Sequence, residues 1–280
     1  MTTQLSVSAD PRAEAAGAVS AVVASLPLSF GPAAAFSPAA AGAEAGTPDV
    51  IAVAGHAGWT GRAATAIRGG ARGVVVSAPV AEDPAELTGV ADTAGAVVVI
   101  DRQWAGNVAL APASENVHGV IAEALKDAVL LDSVVVAAPG TDPLHLLTEQ
   151  FAVLVQCGIE AKNLRMVQRN RNGYSVAGVL AGGVPLALQG ILTSALPATA
   201  SVSILTSAGR ADVVLPDPAA AWPAEIRTVT AEGATTLPTL YESSHRTSWS
   251  RIHSSLSSGN PANDLAQFTT VMSLLSQLNS

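Results

Sequence analysis

The chain has 280 residues and a formal net charge of −8, and 49% of its residues are hydrophobic, enough apolar mass for two modest domains or one large one. The acidic balance and the scattered Lys and Arg exclude the concentrated basic face that phosphate backbones require, so no nucleic-acid partner is expected. Cys157 is the single cysteine, which excludes an internal disulfide and a cysteine-based zinc cluster; a buried, inert thiol in a reducing cytosol is the expectation.

From the N-terminus, Leu5 to Ala9 reads as a strand that runs into Asp10, Pro11 and Arg12. The apolar run Val19 to Leu28 lacks a basic stretch before it, so no signal peptide is expected. No apolar run approaches the about 20 residues that span a bilayer, and a cytoplasmic protein without a membrane partner follows. Gly31 to Thr47, rich in Ala, Gly and Pro, reads as a connector and surface loop.

Asp49 to Pro79 then reads as one strand, glycine loop, helix and strand. Val50 to Ala54 is short and β-branched, as a parallel strand buried on both faces should be. Gly55, Gly58 and Gly61 break the chain, Thr60 serves as an N-cap, Gly69 and Gly70 end the helix, and Val74 to Val76 form the next strand. The unit is βαβ, the building block of dinucleotide-binding folds. Pro84 to Ala94 is the next helix and Val97 to Asp101 the next strand, leading into Arg102, Gln103 and Trp104.

After Trp104 the pattern gives a helix over Ala113 to Lys126, a strand over Val129 to Ala137 and a helix over Pro143 to Cys157, with Asp142 as N-cap. Asn172 and Gly173 signal a hairpin between Leu164 to Gln168 and Tyr174 to Leu180, and Gly182 and Gly183 a second one before Pro185 to Leu192. Further strands fit Ser201 to Thr206, Ala211 to Leu215 and Glu225 to Thr230, so Asn163 to Tyr241 reads as a largely antiparallel open sheet. Trp249 to Ser280, with an amphipathic run over Leu265 to Leu278, gives the closing helices. The expected fold class is α/β: a degenerate Rossmann-like domain over 1–105, then an α+β domain over 106–280.

The Asp49 to Pro79 stretch resembles the glucose-fructose oxidoreductase and inositol dehydrogenase (Gfo/Idh/MocA) family, whose members oxidise sugars and polyols with a nicotinamide cofactor. Ala54, Gly55 and His56 stand where the family has Ala-Thr-Pro, and Ser77, Ala78 and Pro79 replace Glu-Lys-Pro without a gap. The basic and aromatic segment at Arg102 to Trp104 and the closing helices extend the resemblance over most of the chain. Three departures stand against it. The family's catalytic lysine is Ala78, whose methyl group transfers no proton. The Gly-x-Gly-x-x-Gly turn that brings backbone N–H groups to a pyrophosphate is missing. Leu5 to Ala9 is then either the first strand, with Asp10 near the pyrophosphate, or the second, with Asp10 a relic of the ribose-binding acid. The family's Asp and His, four apart on a helix, align with Leu144 and Thr148, while the nearby Asp142 and His145 are three apart.

Candidate residues follow from both lines of reasoning. Arg102 and Trp104 suit a sugar ring, a charged donor beside an aromatic plate, with plain core packing the alternative for Trp104. His56 and Pro79 would border a cofactor. Asp142 and His145 are a displaced catalytic pair or a plain helix cap. Lys162, Arg165, Arg169 and Arg171 read as a solvated hairpin edge. His245, Trp249 and His253 recur at helical spacing and read as a face packed on a sheet, with His245 and His253 too far apart to share a metal ion; no metal site is expected. The resemblance with its departures implies a non-catalytic partner, regulatory or sugar-binding subunit without cofactor, as a homo-oligomer or a hetero-oligomer with a catalytic family member. The alternative is an NAD- or NADP-dependent sugar or polyol dehydrogenase with a rearranged site.

Overall fold

The computed structural model describes residues 4–32, 34–35, 47–220, 222–259 and 262–278. Two compact units divide the chain: Met1–Arg102 with His245–Thr269, and Gln103–Ser244 with Thr270–Ser280. The division falls at Arg102/Gln103 rather than after residue 105, because Trp104 is buried in the apolar core of the second unit. The closing helices, expected wholly with the second domain, divide between the two units.

The first unit is built on a parallel sheet of β1 (Val7–Ala9), β2 (Ala34–Ala35), β3 (Val50–Ala54), β4 (Gly73–Ser77) and β5 (Val97–Asp101), in the order β2-β1-β3-β4-β5. All residues of β3 and β4 are buried, which explains why they are unbroken apolar runs rather than alternating ones. On one face Val50, Ala52, Ala54, Val75 and Val99 pack with α1 (Pro11–Gly17), α2 (Val19–Ala24) and the Trp249 and Ile252 side chains of α7 (Ser244–Ser258). α7 lies so close that a methyl group on Gly73 would fall 2.8 Å from Ile252 Cδ1. By strand alternation Ile51 and Val53 serve the opposite face, where α3 (Trp59–Arg68) packs on β3 and β4, and α4 (Ala85–Ala94) packs on α3. The edge strand β5 is protected at Ile100, whose N–H donates to Asp264 Oδ1 at 2.9 Å. Asp264 opens α8 (Asp264–Gln277) and is held by Arg251.

The Ala, Gly and Pro connector expected over Gly31 to Thr47 lies mostly outside the described residues. The short helices α1 and α2 lie in a stretch that the sequence pattern left without a helix. Thr60 does not cap α3. The helix begins at Trp59 with Gly58 at the cap in the left-handed region, φ 79°, and the capping oxygens come from Glu82, as described below.

The second unit holds a mixed, mostly antiparallel sheet of eight strands, β6 (Ala128–Ala137) to β13 (Gly233–Leu237), in the order β13-β12-β11-β10-β6-β9-β8-β7. Between its ends run β7 (Ala161–Asn170), β8 (Gly173–Leu180), β9 (Pro185–Leu192), β10 (Thr199–Thr206), β11 (Arg210–Leu215) and β12 (Glu225–Thr230). The β6–β9 pair alone is parallel. Both expected hairpins form: Gly173 takes φ 138°, and Gly182 and Gly183 take φ 87° and 84°, values that favour glycine. One face packs under α5 (Glu115–Lys126) and α6 (Pro143–Gln156). Residues on the other face, such as Asp132, Val134, Ser201 and Ser203, stay partly exposed. Cys157 ends α6 fully buried, and burial pushes its thiol up to about 12, an unreactive group.

Candidate functional site

In open parallel sheets the strand order reverses at one point, and ligands bind beyond the carboxyl ends of the strands there. Here that point lies between β1 and β3, the two strands that end at Asp10 and Gly55. Asp10 occupies it with its own carboxylate. Its Oδ1 accepts from Arg12 N at 2.7 Å and Ala13 N at 2.8 Å, and its Oδ2 from Ala54 N at 3.2 Å. Pro11, the first helical residue, has no N–H to offer. The donors that would receive a pyrophosphate are therefore taken by a fixed negative charge, and the arrangement does not fit that group.

α3 repeats the pattern. Glu82 accepts from Gly58 N at 2.8 Å and Thr60 N at 3.1 Å, so a side-chain carboxylate also fills the N-terminus of α3. The intervening loop is tied down by Arg62, whose guanidinium donates to the carbonyls of Ala54, His56 and Ala57 at 2.7–2.9 Å. His56 Nδ1 is buried without a hydrogen-bond partner among the described residues. Desolvation, together with the charges of Arg62 and Arg12, holds its imidazole below the ordinary histidine value.

The segment Ser77–Ala78–Pro79 is clamped to the same loop. Gly55 N donates to Ser77 O at 2.8 Å, Val80 N to Gly55 O at 2.7 Å and Ala78 N to Asp101 O at 3.2 Å. Ala78 takes φ 50°, a left-handed conformation uncommon for alanine. Pro79 touches Gly55 closely and is part of this clamp.

Asp101, at the end of β5, is 2% exposed. Its Oδ2 lies 2.7 Å from Nδ1 of His245, on the second residue of α7. The hydrogen bond to Asp101 raises the His245 pKa above 6.5, outweighing the burial that would lower it. The pair therefore stabilises the first unit fully below about pH 6.5, and that contribution disappears as pH rises through the raised folded-state value. Asp101→Asn is expected to flatten the fall in stability as pH rises above about 6.5, measured by urea midpoints. A profile unchanged from wild type would contradict the pairing.

The remaining candidates are dispersed. Arg102, 7% exposed, lies over the Phe268 ring at 4.8 Å, and Phe268 also meets Trp59 edge-on. Of its two readings, ligand plate or core, Trp104 takes the core one: it is fully buried in the second unit's core and offers no open ring face to a sugar. Asp142 caps α6 by accepting from Leu144 N at 3.0 Å. His145 Nδ1 is buried with no partner among the described residues, so Asp142 and His145 do not form a carboxylate–imidazole pair. Thr148 Oγ1 donates to Leu144 O at 2.8 Å. Lys162, Arg165, Arg169 and Arg171 are exposed at or beside the edge strand β7. Phe30 meets both Trp249 and His253 edge-on, so the α7 face packs as expected. Sequence reasoning missed the Asp101–His245 contact, since the two residues lie 144 apart and share no motif.

Among the described residues, no group of three or more His, Cys, Asp or Glu side chains is placed to hold a metal ion, and no helix is long and apolar enough to cross a membrane. No family model matches the sequence, and no curated protein matches it either. Solved structures do. KijD10, a 3-ketoreductase from Actinomadura kijaniata in complex with NADP and TDP-benzene, is similar with a TM-score of 0.73 at 15% identity, over 99% of this chain and 97% of that one. The UDP-N-acetylglucosamine 3-dehydrogenase GnnA from Acidithiobacillus ferrooxidans is similar with a TM-score of 0.65 at 13% identity, over 99% and 97%. A dehydrogenase from Chromobacterium violaceum gives 0.67 at 13%, over 99% and 95%. At these identities the likeness is one of fold: the chain has the two-part α/β architecture of these ketoreductase and dehydrogenase structures.

Proposed function

We propose that this chain is a sugar- or polyol-binding protein of Gfo/Idh/MocA descent that acts as a non-catalytic binding or regulatory subunit. The observation that carries this reading is the Asp10 carboxylate lodged on the backbone N–H groups of Arg12, Ala13 and Ala54. Glu82 on the N-terminus of α3, and a methyl group at Ala78 in place of a proton-transferring lysine, support it. The partner in this reading is a second copy of the chain or a catalytic relative, seated on the partly exposed face of the eight-stranded sheet.

A second reading has the comparisons on its side. KijD10 was solved with NADP, and its likeness along nearly the whole chain favours an NAD- or NADP-dependent sugar or polyol dehydrogenase with a rearranged site. Calorimetric titration of the folded full-length protein with NADH and NADPH separates the two. The first reading expects no saturable binding up to about 1 mM, the weak end of the usual cofactor range. Saturable micromolar binding would overturn it and establish the cofactor half of the second.

A further inference from the structure

The eight-stranded sheet ends on two different edges. At one, β7 carries Lys162, Arg165, Arg169 and Arg171 in or just beyond it, and its pairing with β8 shifts register between Lys162 and Arg165 and again between Met166 and Gln168. Charges and bulges of this kind keep an edge from pairing with another chain. At the other, β13 runs Gly233, Ala234, Thr235, Thr236, Leu237, with no charge, no proline and no register shift against β12. Its residues are exposed as far as Thr236.

The register identifies the backbone groups that this edge presents. Thr230 and Gly233 are partners on either side of the two-residue turn between β12 and β13, so they exchange both backbone bonds. Every second pair after them does the same, Thr228 with Thr235 and Ile226 with Leu237. The N–H and C=O groups of Ala234 and Thr236 therefore point away from β12, placed symmetrically about Thr235. Among the described residues no other strand pairs with β13, and such a row of backbone groups is a template for a further strand.

The open end of the same hairpin adds apolar surface. Thr239 Oγ1 donates to Ala224 O at 2.5 Å, joining the segments that enter β12 and leave β13. Trp222, Leu240 and Tyr241 flank this bond and are 63%, 66% and 79% exposed, a concentration of large apolar side chains that marks a contact surface.

We propose that β13 pairs with β13 of a second copy of the chain, antiparallel and about a two-fold axis at Thr235, joining the two sheets into one. Ala234 exchanges both backbone bonds with Thr236 of the partner subunit, and Thr236 does so with Ala234 of the partner subunit. The two copies of Thr235 face each other as a close pair, a favourable threonine contact. The edges themselves select a second copy as the occupant. β7 repels its own image through its row of cations, and pairing of β13 with β7 would propagate into an open chain. Pairing of β13 with itself closes, with small uncharged side chains opposed. It also carries the Leu237 end of each copy past the Gly233 end of the other, so the Trp222, Leu240 and Tyr241 cluster lies against the other copy's hairpin turn. This surface is separate from the sheet face, and the pairing depends on neither functional reading above.

The test is sedimentation velocity of the full-length protein from about 1 to 100 µM, for wild type, Thr236→Pro, Thr236→Lys and Val134→Lys. Wild type should pass from monomer to dimer across that range. Because the Thr236 N–H points away from β12, proline there spares the ladder. The diluted variant should melt as wild type does, while its dimerisation weakens at least about tenfold. Should it fold poorly, Thr236→Lys decides, since it sets like charges near the axis. Val134→Lys alters the sheet face and should dimerise as wild type does. Amide hydrogen exchange gives the direct readout: Ala234 and Thr236 should be protected in the concentrated wild type and exposed on dilution, with Thr235 protected in both. A wild type that stays monomeric at the highest concentration overturns the pairing. So does a dimer that Val134→Lys abolishes or Thr236→Lys leaves intact, or one in which Ala234 and Thr236 exchange as fast as in the monomer.

Discussion

Replacing Gly55 by alanine is expected to destabilise the protein by about 3 kcal/mol, the upper range for forcing atoms into a packed site. The added methyl group would stand 2.2 Å from Pro79 Cα, 2.4 Å from Pro79 N and 2.6 Å from Ala78 C. These are backbone atoms, already fixed by the hydrogen bonds of Gly55 to Ser77 and Val80, so no rotamer change relieves the clash. Gly61→Ala supplies the control. Gly61 is an exposed position of α3 with open space around its notional Cβ, and alanine there should add about 1 kcal/mol. Urea midpoints of the two variants should therefore move in opposite directions. A neutral Gly55→Ala would mean that the Ala78–Pro79 segment yields freely, and the clamp described for it would be wrong.

Trp249→Ala is expected to cost about 3–5 kcal/mol, the range for deleting a large buried aromatic side chain. Trp249 is fully buried, packs edge-on with Phe30 at 5.3 Å and belongs to the core beneath β1, β3, β4 and β5. Its indole N–H has no partner among the described residues. Trp249→Phe keeps aromatic packing and removes that buried donor, so it should lose far less than the alanine variant. Equal losses in the two would contradict this, showing that the site depends on the whole indole and that aromatic packing against Phe30 contributes little.

The α/β class and most elements of the fold were legible because they rest on local patterns. β3 is a continuous apolar run that ends at Gly55 and β4 one that follows Gly69, Gly70 and Gly73, and the Asn172–Gly173 and Gly182–Gly183 turns have the glycines that positive φ favours. Asp142 and Pro143 announced α6 in the same local way. Capping by distant residues was not legible: Glu82 reaches α3 across 22 residues, and no spacing rule points to it. Trp104 looked like a ligand plate because an aromatic beside an arginine has the same sequence signature in a core as in a binding site. Asp101 and His245 were visible only as a strand end and one member of a helical stripe. Their meeting is a product of topology, which periodicity does not encode.

The split composition of the first unit has a consequence for synthesis. Its sheet is complete once Asp101 is made, yet α7, which covers one face, begins at Ser244. At translation rates of about 5–20 residues per second the intervening stretch takes about 7–30 s. During that interval the face containing Val50, Ala52, Ala54, Val75 and Val99 waits for Trp249 and Ile252. The nascent chain thus carries a temporary apolar surface in the cell, where holding chaperones act, and the synthesis of α7 decides when that exposure ends.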